Sequence, residues 1–482
     1  MAALAPAPSP HPDPEAAARV RDAGLARGIG LFGLAAGIVN LVVGTAIFTL
    51  PSVISARAGG FAPLIYLVAA LIMAGVTLCL AEAGSRVPTS GGPYGAIEAA
   101  FGPRLGFVAG FMLLLSNMLA DGGIAAALAS LAGLTGDGRL VARLGFFALL
   151  YGALVIANSL GVRATARLVA AGTLIKLLPL LVFIVIALPH VLHPAPPGPP
   201  HPVTLHAFGR ALIIALFAFE GVETALGASG EVRDPARTLP LGLFLGMGSV
   251  LMLYLLVQLG ASALLGGALA ASAAPLADAS ARISPIAHAL LLVGGALSMS
   301  VWMAGDVLGS SRLIFALARD GALPRPLARV SPTRNVPDRA VLAYAGLCFA
   351  LAATGSFVEL ILLSSLAVTV LYALVCLAAL RLRRRGIALA GQPRRLPLLP
   401  LGAAIGLAGM ALMVAAARPA ELAGLVVALA LGLGGYQLAA RRRQPPPATP
   451  AGARYFLSAE LTPQDHRQGK STPPPGTSSR PE

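Results

Sequence analysis

Long apolar stretches are the feature that most limits how this chain can fold. Twelve of them, bounded by charged residues, Gly or Pro, are long enough to cross a bilayer as a helix, which takes about 20 residues. Only 11% of the 482 residues are charged, too few to cover a water-soluble fold. The pattern predicts an all-α polytopic membrane protein. The expected spans are 31–55, 60–81, 105–133, 141–161, 167–189, 207–229, 240–266, 284–314, 338–355, 358–380, 396–417 and 419–440.

The basic excess has a topological explanation. A net charge of +15 could indicate nucleic acid, but the chain has only two lysines, Lys176 and Lys470, and no basic helix interleaved with aromatic residues. We therefore expect no nucleic-acid partner. Most of the 35 Arg and Lys residues fall in the tails and in the loops that follow even-numbered spans. Because cytoplasmic loops carry excess Arg and Lys, this bias predicts a multi-pass plasma-membrane protein with both termini in the cytoplasm.

Two spans are interrupted where a lipid-packed helix would be continuous. In the first, Gly44 and the small residues after it precede Pro51, and in the sixth, Glu220, Gly221 and Glu223 lie mid-span. A carboxylate near the bilayer centre is costly unless it faces a cavity or a partner. Backbone unwinds at this depth only where protein buries it or water lines it. Close helix packing through the glycines is the alternative interpretation.

The positions of the interruptions predict an inverted repeat. They lie five spans apart, so the two segments run in opposite directions, as in folds of five plus five helices with two additional ones. Half-helix amides attract an anion and exposed carbonyls attract a cation, so an amino acid would satisfy both. The predicted domains are disordered cytoplasmic tails at 1–29 and 441–482, repeats at 30–190 and 205–381, and the last two helices at 396–440.

Several stretches resemble the amino acid–polyamine–organocation (APC) superfamily, in the family's order. VVGTAIFTLP is similar to its first-helix signature, and LAEAGSRVPTSGGPYGAIEAAFG is similar to its second helix and inner loop. FAFEGVETALGASGEVRDPARTLP resembles the sixth helix with its following loop, and GSSRLIFALARDGALP the end of the eighth. The resemblance implies a leucine-transporter-type fold, alternating access and a central site for an amino acid or related amine.

The resemblance also implies where the substrate would bind. Amides of the first interruption would receive the substrate carboxylate, and carbonyls of both interruptions its ammonium. Phe217 falls where many members have an aromatic gate, and Ala46 stands where the family usually has Gly. Asp306 is at an eighth-helix position that often faces the substrate side chain, which favours a cationic ligand. The expected substrate-binding residues are Val42, Gly44, Thr45, Ala46, Phe217, Glu220, Gly221 and Asp306.

Lys176 is the candidate for proton coupling. Pro179 has no amide hydrogen for the Ile175 carbonyl, so the helix is disturbed beside the lysine. In the resemblance, a fifth-helix lysine takes the place of the ion that sodium-coupled relatives bind, with Ser298 or Ser300 as its expected neighbour. Because burial disfavours the charged form of a lysine, its protonation would be linked to opening and closing. Snorkelling to the inner interface is the alternative.

The leading hypothesis is secondary active transport of amino acids, with the substrate, protons and the lipid bilayer as partners. An exchanger for cationic amino acids or polyamines is the alternative, favoured by Asp121, Glu220 and Asp306. A sensor of the same fold would have the same sequence features. We expect no enzyme, because no nucleophile motif accompanies His288. No cofactor or metal site is expected either, because the three cysteines are not spaced as ligands and the loop histidines lack Cys or carboxylate neighbours.

Overall fold

In the computed structural model, helices account for most of the described residues. These residues are 29–44, 46–87, 92–136, 138–159, 176–196, 203–224, 232–319, 323–331, 336–388 and 395–442. The described residues up to Ala440 belong to one compact unit, and of residues 441–482 only 441–442 are described. The predicted terminal tails and Thr45 therefore lie outside the described residues, apart from the ends of the tails.

The helices alternate with short turns. In chain order they are α1 (Leu31–Val42), α2 (Ala46–Ala58), α3 (Ala62–Arg86), α4 (Gly92–Phe101), α5 (Pro103–Leu131), α6 (Leu140–Ser159), α7 (Lys176–Leu192), α8 (Leu205–Phe217), α9 (Pro235–Leu265), α10 (Pro275–Ala281), α11 (Pro285–Arg319), α12 (Asp338–Thr354), α13 (Phe357–Arg384), α14 (Leu399–Ala416) and α15 (Pro419–Arg442). The last turn of α7, Leu188–Leu192, is a 3-10 helix.

The lengths and apolar composition of these helices suit a membrane. Within the described ranges, nine helices are long and apolar enough to cross a bilayer, one of which runs through α2 and α3 from Ala46 to Arg86. α1 and α7 are shorter apolar helices. No strand occurs in the described part of the chain, where Ile29 and Val232 form an isolated parallel bridge. These features confirm an all-α polytopic membrane protein, while the total of twelve spans and their division into repeats stay predictions.

Both predicted interruptions are present. The first span divides into α1 and α2, and the backbone at Val43 and Gly44 is not helical. In the sixth span, α8 ends at Phe217 and a turn at 218–221 follows. Gly221 has a φ of +105°, which a residue with a side chain rarely adopts. The glycines therefore mark breaks in the helices and not only sites of close packing.

Close backbone approaches hold the helices around these breaks. α9 packs against both α1 and α3, and α5 packs against α13. α3 meets α14 at paired glycines, where a Cβ added to Gly75 would lie 2.5 Å from the Gly402 carbonyl oxygen. Small residues at such a crossing let two membrane helices approach closely enough for extensive van der Waals contact. The scaffold thereby fixes α3 and α9 beside the broken spans.

Candidate functional site

One tyrosine hydroxyl joins the two interruptions. Tyr254 of α9 is fully buried, and its hydroxyl oxygen lies 3.0 Å from the Val42 carbonyl oxygen and 2.7 Å from that of Ala218. These carbonyls belong to the last turn of α1 and to the turn after α8, where helical hydrogen bonding stops. A hydroxyl has one hydrogen, so it donates to one carbonyl at a time. Tyr254 thus ties both broken spans to the same point of α9.

The two interruptions also touch directly. A Cβ built on Gly221 would lie 3.1 Å from the Leu41 carbonyl oxygen and 3.6 Å from the Val42 Cα. This proximity, together with the positive φ, explains why the position needs a glycine. The structure therefore brings together Val42 and Gly221, two residues that are 179 positions apart in the chain and were both expected at the substrate site.

The first interruption is compact and covered by an indole. The Gly44 amide donates to the Val42 carbonyl at 2.7 Å, so in this conformation that amide is occupied within the chain. A Cβ added to Gly44 would lie 3.0 Å from Trp302 Nε1 on α11. Ala46 begins α2 and is buried, and the amides of a helix's first turn have no intrahelical acceptor. The first turn of α2 therefore retains donors suited to a carboxylate.

The acids of the sixth span are hydrogen-bonded to α13. Glu220 accepts from the Ser365 hydroxyl at 2.7 Å and from the Ser364 hydroxyl at 3.3 Å. Glu223 accepts from the Tyr372 hydroxyl at 2.7 Å and from the Gly221 amide, which lies 3.0 Å from each carboxylate oxygen. Both carboxylates thus anchor the broken span to a neighbouring helix. Such partners satisfy the requirement that a charge at membrane depth be hydrogen-bonded.

Asp306 has protein partners as well. Its carboxyl group accepts from the Tyr344 hydroxyl and lies 3.3 Å from the hydroxyl of Ser310, one turn further along α11. Its carboxyl also interacts with that of Asp121 on α5. Asp306 therefore lies in a polar cluster between α5, α11 and α12. Phe217, the expected gate, is buried at the end of α8, directly before the second interruption.

Lys176 is directed at the first interruption. Its side chain is only 4% exposed, and its ammonium donates to the Asn40 carbonyl in the last turn of α1. Of the two expected hydroxyl neighbours, Ser300 donates to the Ala296 carbonyl, and Ser298 has no hydrogen-bond partner among the described residues. A snorkelling lysine would extend its ammonium into solvent. The observed contact instead places the charge beside the helix break.

The sequence did not identify four of the hydrogen-bond donors at these positions. They are Tyr254, Ser365, Tyr372 and Tyr344, each on a helix remote in sequence from its acceptor. The one available signal was a hydroxyl in the middle of an apolar span, since a buried tyrosine hydroxyl usually has a hydrogen-bond partner. Within the described ranges, no group of three or more His, Cys, Asp or Glu side chains is arranged to hold a metal ion.

Comparison with known proteins agrees with these features. The family model described as amino acid permease matches residues 29–431, which contain every helix of the interrupted spans. The chain belongs to the amino acid permease family of the APC superfamily. The resemblance seen in the sequence is therefore confirmed, and the family and the relatives below are named as permeases and transporters.

The chain is similar to proteins from several bacteria. An uncharacterized transporter of Mycobacterium tuberculosis is 36% identical over 239 residues, which cover 48% of this chain and 52% of the relative. This chain thus matches about half the length of that relative. The branched-chain amino acid permease BcaP of Lactococcus lactis is 29% identical, with 77% of this chain and 85% of the relative covered. A methylthioribose transporter of Bacillus subtilis is 27% identical, with 67% and 74% covered.

Proposed function

We propose that this permease carries neutral amino acids across the plasma membrane by alternating access, coupled to protons at Lys176. The observation that carries the proposal is the joining of two broken helices at one buried tyrosine. Helix breaks at membrane depth expose amides and carbonyls, and these groups complement the carboxylate and ammonium of an amino acid. The donors of the α2 first turn and the carbonyls around Tyr254 supply the two halves of that recognition.

The hydrogen-bonding of the acids favours a neutral substrate over a cationic one. Glu220, Glu223 and Asp306 all accept hydrogen bonds from protein side chains in this conformation. Because these donors already stabilise the carboxyl groups, the acids need no cationic substrate as a partner. The similarity to branched-chain amino acid permeases supports an aliphatic side chain on the substrate. The aromatic rings of Phe217 and Trp302 near the breaks suit such a side chain.

Proton coupling is supported by the position of Lys176. Its ammonium contacts the Asn40 carbonyl two residues before the end of α1, so loss of the proton would remove a charge-assisted hydrogen bond beside the first interruption. The angle of α1 to α7 would then be free to change. Gly294 of α11 packs against Pro179 of α7, where an added Cβ would lie 2.5 Å from the ring Cγ, so α7 has little freedom of its own.

The orientation proposed from the charges is unchanged: both termini face the cytoplasm, and the membrane is the plasma membrane. Arg381, Arg383 and Arg384 in the last turn of α13 support this orientation, because Arg and Lys accumulate on the cytoplasmic side.

Counterflow in proteoliposomes tests the substrate class. Vesicles loaded with unlabelled leucine, arginine or putrescine are diluted into labelled leucine, and labelled uptake is compared with that into unloaded vesicles. We expect stimulation by internal leucine and none by arginine or putrescine. Stimulation by arginine alone would refute the neutral-substrate proposal and favour a cationic exchanger.

The two lysines of the chain provide a matched test of coupling. Lys176→Ala should abolish the response of leucine uptake to an imposed pH gradient, because the titratable group beside the break is gone. Lys470→Ala removes the only other lysine, in the C-terminal segment, and should respond like the wild type. An unaltered pH response of the Lys176→Ala protein would refute the assignment of Lys176 as the proton-coupling residue.

A further inference from the structure

Two carboxyl groups meet where α5 packs against α11. Asn117 and Asp121 are one turn apart on α5, as are Asp306 and Ser310 on α11. The Asn117 amide donates to the Ser310 hydroxyl at 3.0 Å, and one turn away the Asp121 carboxyl interacts with the Asp306 carboxyl. The two contacts fit antiparallel helices, because the position advances by four on α5 and falls by four on α11.

A third helix, α12, contacts both carboxyl groups. On α12, Tyr344 and Cys348 are also one turn apart, with Tyr344 beside Asp306 and Cys348 beside Asp121. The Tyr344 hydroxyl donates to Asp306 Oδ2, and the Cys348 thiol lies 3.9 Å from Asp121 Oδ2. Each carboxyl therefore has one neighbour from α12. The regular spacing on three helices makes this a built cluster and not a chance approach of two side chains.

One oxygen of the pair lacks a donor. Asp121 is fully buried, and its Oδ1 has no hydrogen-bond partner among the described residues. The Tyr151 hydroxyl on α6, which interacts electrostatically with Asp121, is also buried without a partner there. The other titratable groups that face the pair are Tyr344 and Cys348, and Glu223 also interacts with Asp306. No Lys or Arg of the described ranges forms an ion pair with either carboxyl.

Electrostatic repulsion determines how many protons the two carboxyl groups hold. Two adjacent carboxylates repel each other, and without a cation nearby both cannot remain charged at low dielectric. A single proton held between them leaves one negative charge. It also supplies the missing donor to an otherwise unpaired carboxyl oxygen. The same arrangement of two carboxyls around one proton occurs in aspartic proteases.

We propose that Asp121 and Asp306 share one proton and form a second proton site of the permease. Asp306 is half-buried whereas Asp121 is fully buried, so the proton enters and leaves on the Asp306 side. If α5 and α11 move apart, the carboxyls separate, both ionise and the proton passes to water. This role in coupling rests on the transport activity proposed above, whereas the shared proton itself does not.

Infrared spectroscopy of the purified full chain in lipid vesicles tests the shared proton. Aspartate labelled with ¹³C at the side-chain carboxyl separates the Asp bands from those of Glu220 and Glu223. At neutral pH we expect one protonated Asp band in the wild type and none in the Asp121→Asn/Asp306→Asn double variant. Asp278→Asn on α10 removes a different Asp carboxyl, retains Asp121 and Asp306, and should retain the band. A wild type without this band, or a double variant that keeps it, would overturn the proposal.

Uptake driven by a pH gradient tests the coupling. Asp121→Asn has nearly the same shape but no titratable proton, and we expect its stimulation by the gradient to fall about tenfold, within the range of typical couplings. Asp278→Asn, which makes the same change at a carboxyl of α10 whose partner is the Ser272 hydroxyl, serves as the matched control and should be stimulated like the wild type. Equal stimulation in both variants would contradict the second site. A wild type that transports no amino acid would contradict the proposed function instead. The infrared experiment would still test the shared proton in that case.

Discussion

Removal of the Tyr254 hydroxyl is the most informative change to the site. Tyr254→Phe deletes one hydrogen-bond donor and keeps the ring, whose centroid lies 6.1 Å from that of Tyr66 and 5.5 Å from that of Phe219. Val42 O still receives the Gly44 amide at 2.7 Å, so the loss amounts to one hydrogen bond, donated mainly to Ala218. One net hydrogen bond contributes about 0.5–1.5 kcal/mol, which corresponds to about 2–13-fold in an equilibrium constant.

Calorimetric titration with leucine measures this effect. We expect Tyr254→Phe to raise Kd by about 2–13-fold, because the two interruptions are no longer held at one point. Tyr66→Phe is a matched control: it is also fully buried, but its hydroxyl has no hydrogen-bond partner among the described residues. Its Kd should equal that of the wild type. If the two variants bind leucine equally well, the reasoning about Tyr254 is refuted.

Two further predictions concern the scaffold, and thermal unfolding in detergent checks both. Gly75→Ala should lower the free energy of unfolding by about 1–3 kcal/mol, because the added Cβ would lie 2.5 Å from the Gly402 carbonyl oxygen. Gly248→Ala is the control: its Cβ would meet nothing within 4 Å, so Tm should be unchanged or raised. Arg210→Ala should lower the free energy of unfolding by about 1.5–3 kcal/mol, because two hydrogen bonds of 3.0 and 3.1 Å to Glu421 are lost. A double-mutant cycle with Glu421→Gln that gives no coupling energy would contradict this prediction.

Much of the membrane architecture was predictable because its signals are local. Apolar runs reveal spans without any knowledge of their neighbours, and Gly44 and Gly221 revealed the breaks because glycine weakens a helix within its own segment. Lys176 stood out for the same reason, as a cation inside an apolar run beside Pro179. Each of these inferences used residues within a few positions of one another.

The hydrogen-bonding of the acids was not predictable, because it depends on the register between distant helices. The donors to Glu220 lie on α13, about 145 positions later in the chain, at Ser364 and Ser365. A one-residue rotation of α13 would turn these hydroxyls away. Glu220 and Asp306 were therefore expected at the substrate site from their positions in the resemblance, without knowledge of these partners. Contact of Glu220 and Asp306 with the substrate stays a prediction.

Leucine uptake by proteoliposomes under an imposed pH gradient tests the central claim most directly. Wild-type vesicles with an alkaline interior should accumulate labelled leucine above the level of protein-free vesicles, and collapse of the gradient by a protonophore should abolish that accumulation. Uptake equal to that of protein-free vesicles, or accumulation that persists after the gradient is collapsed, would contradict proton-coupled amino acid transport.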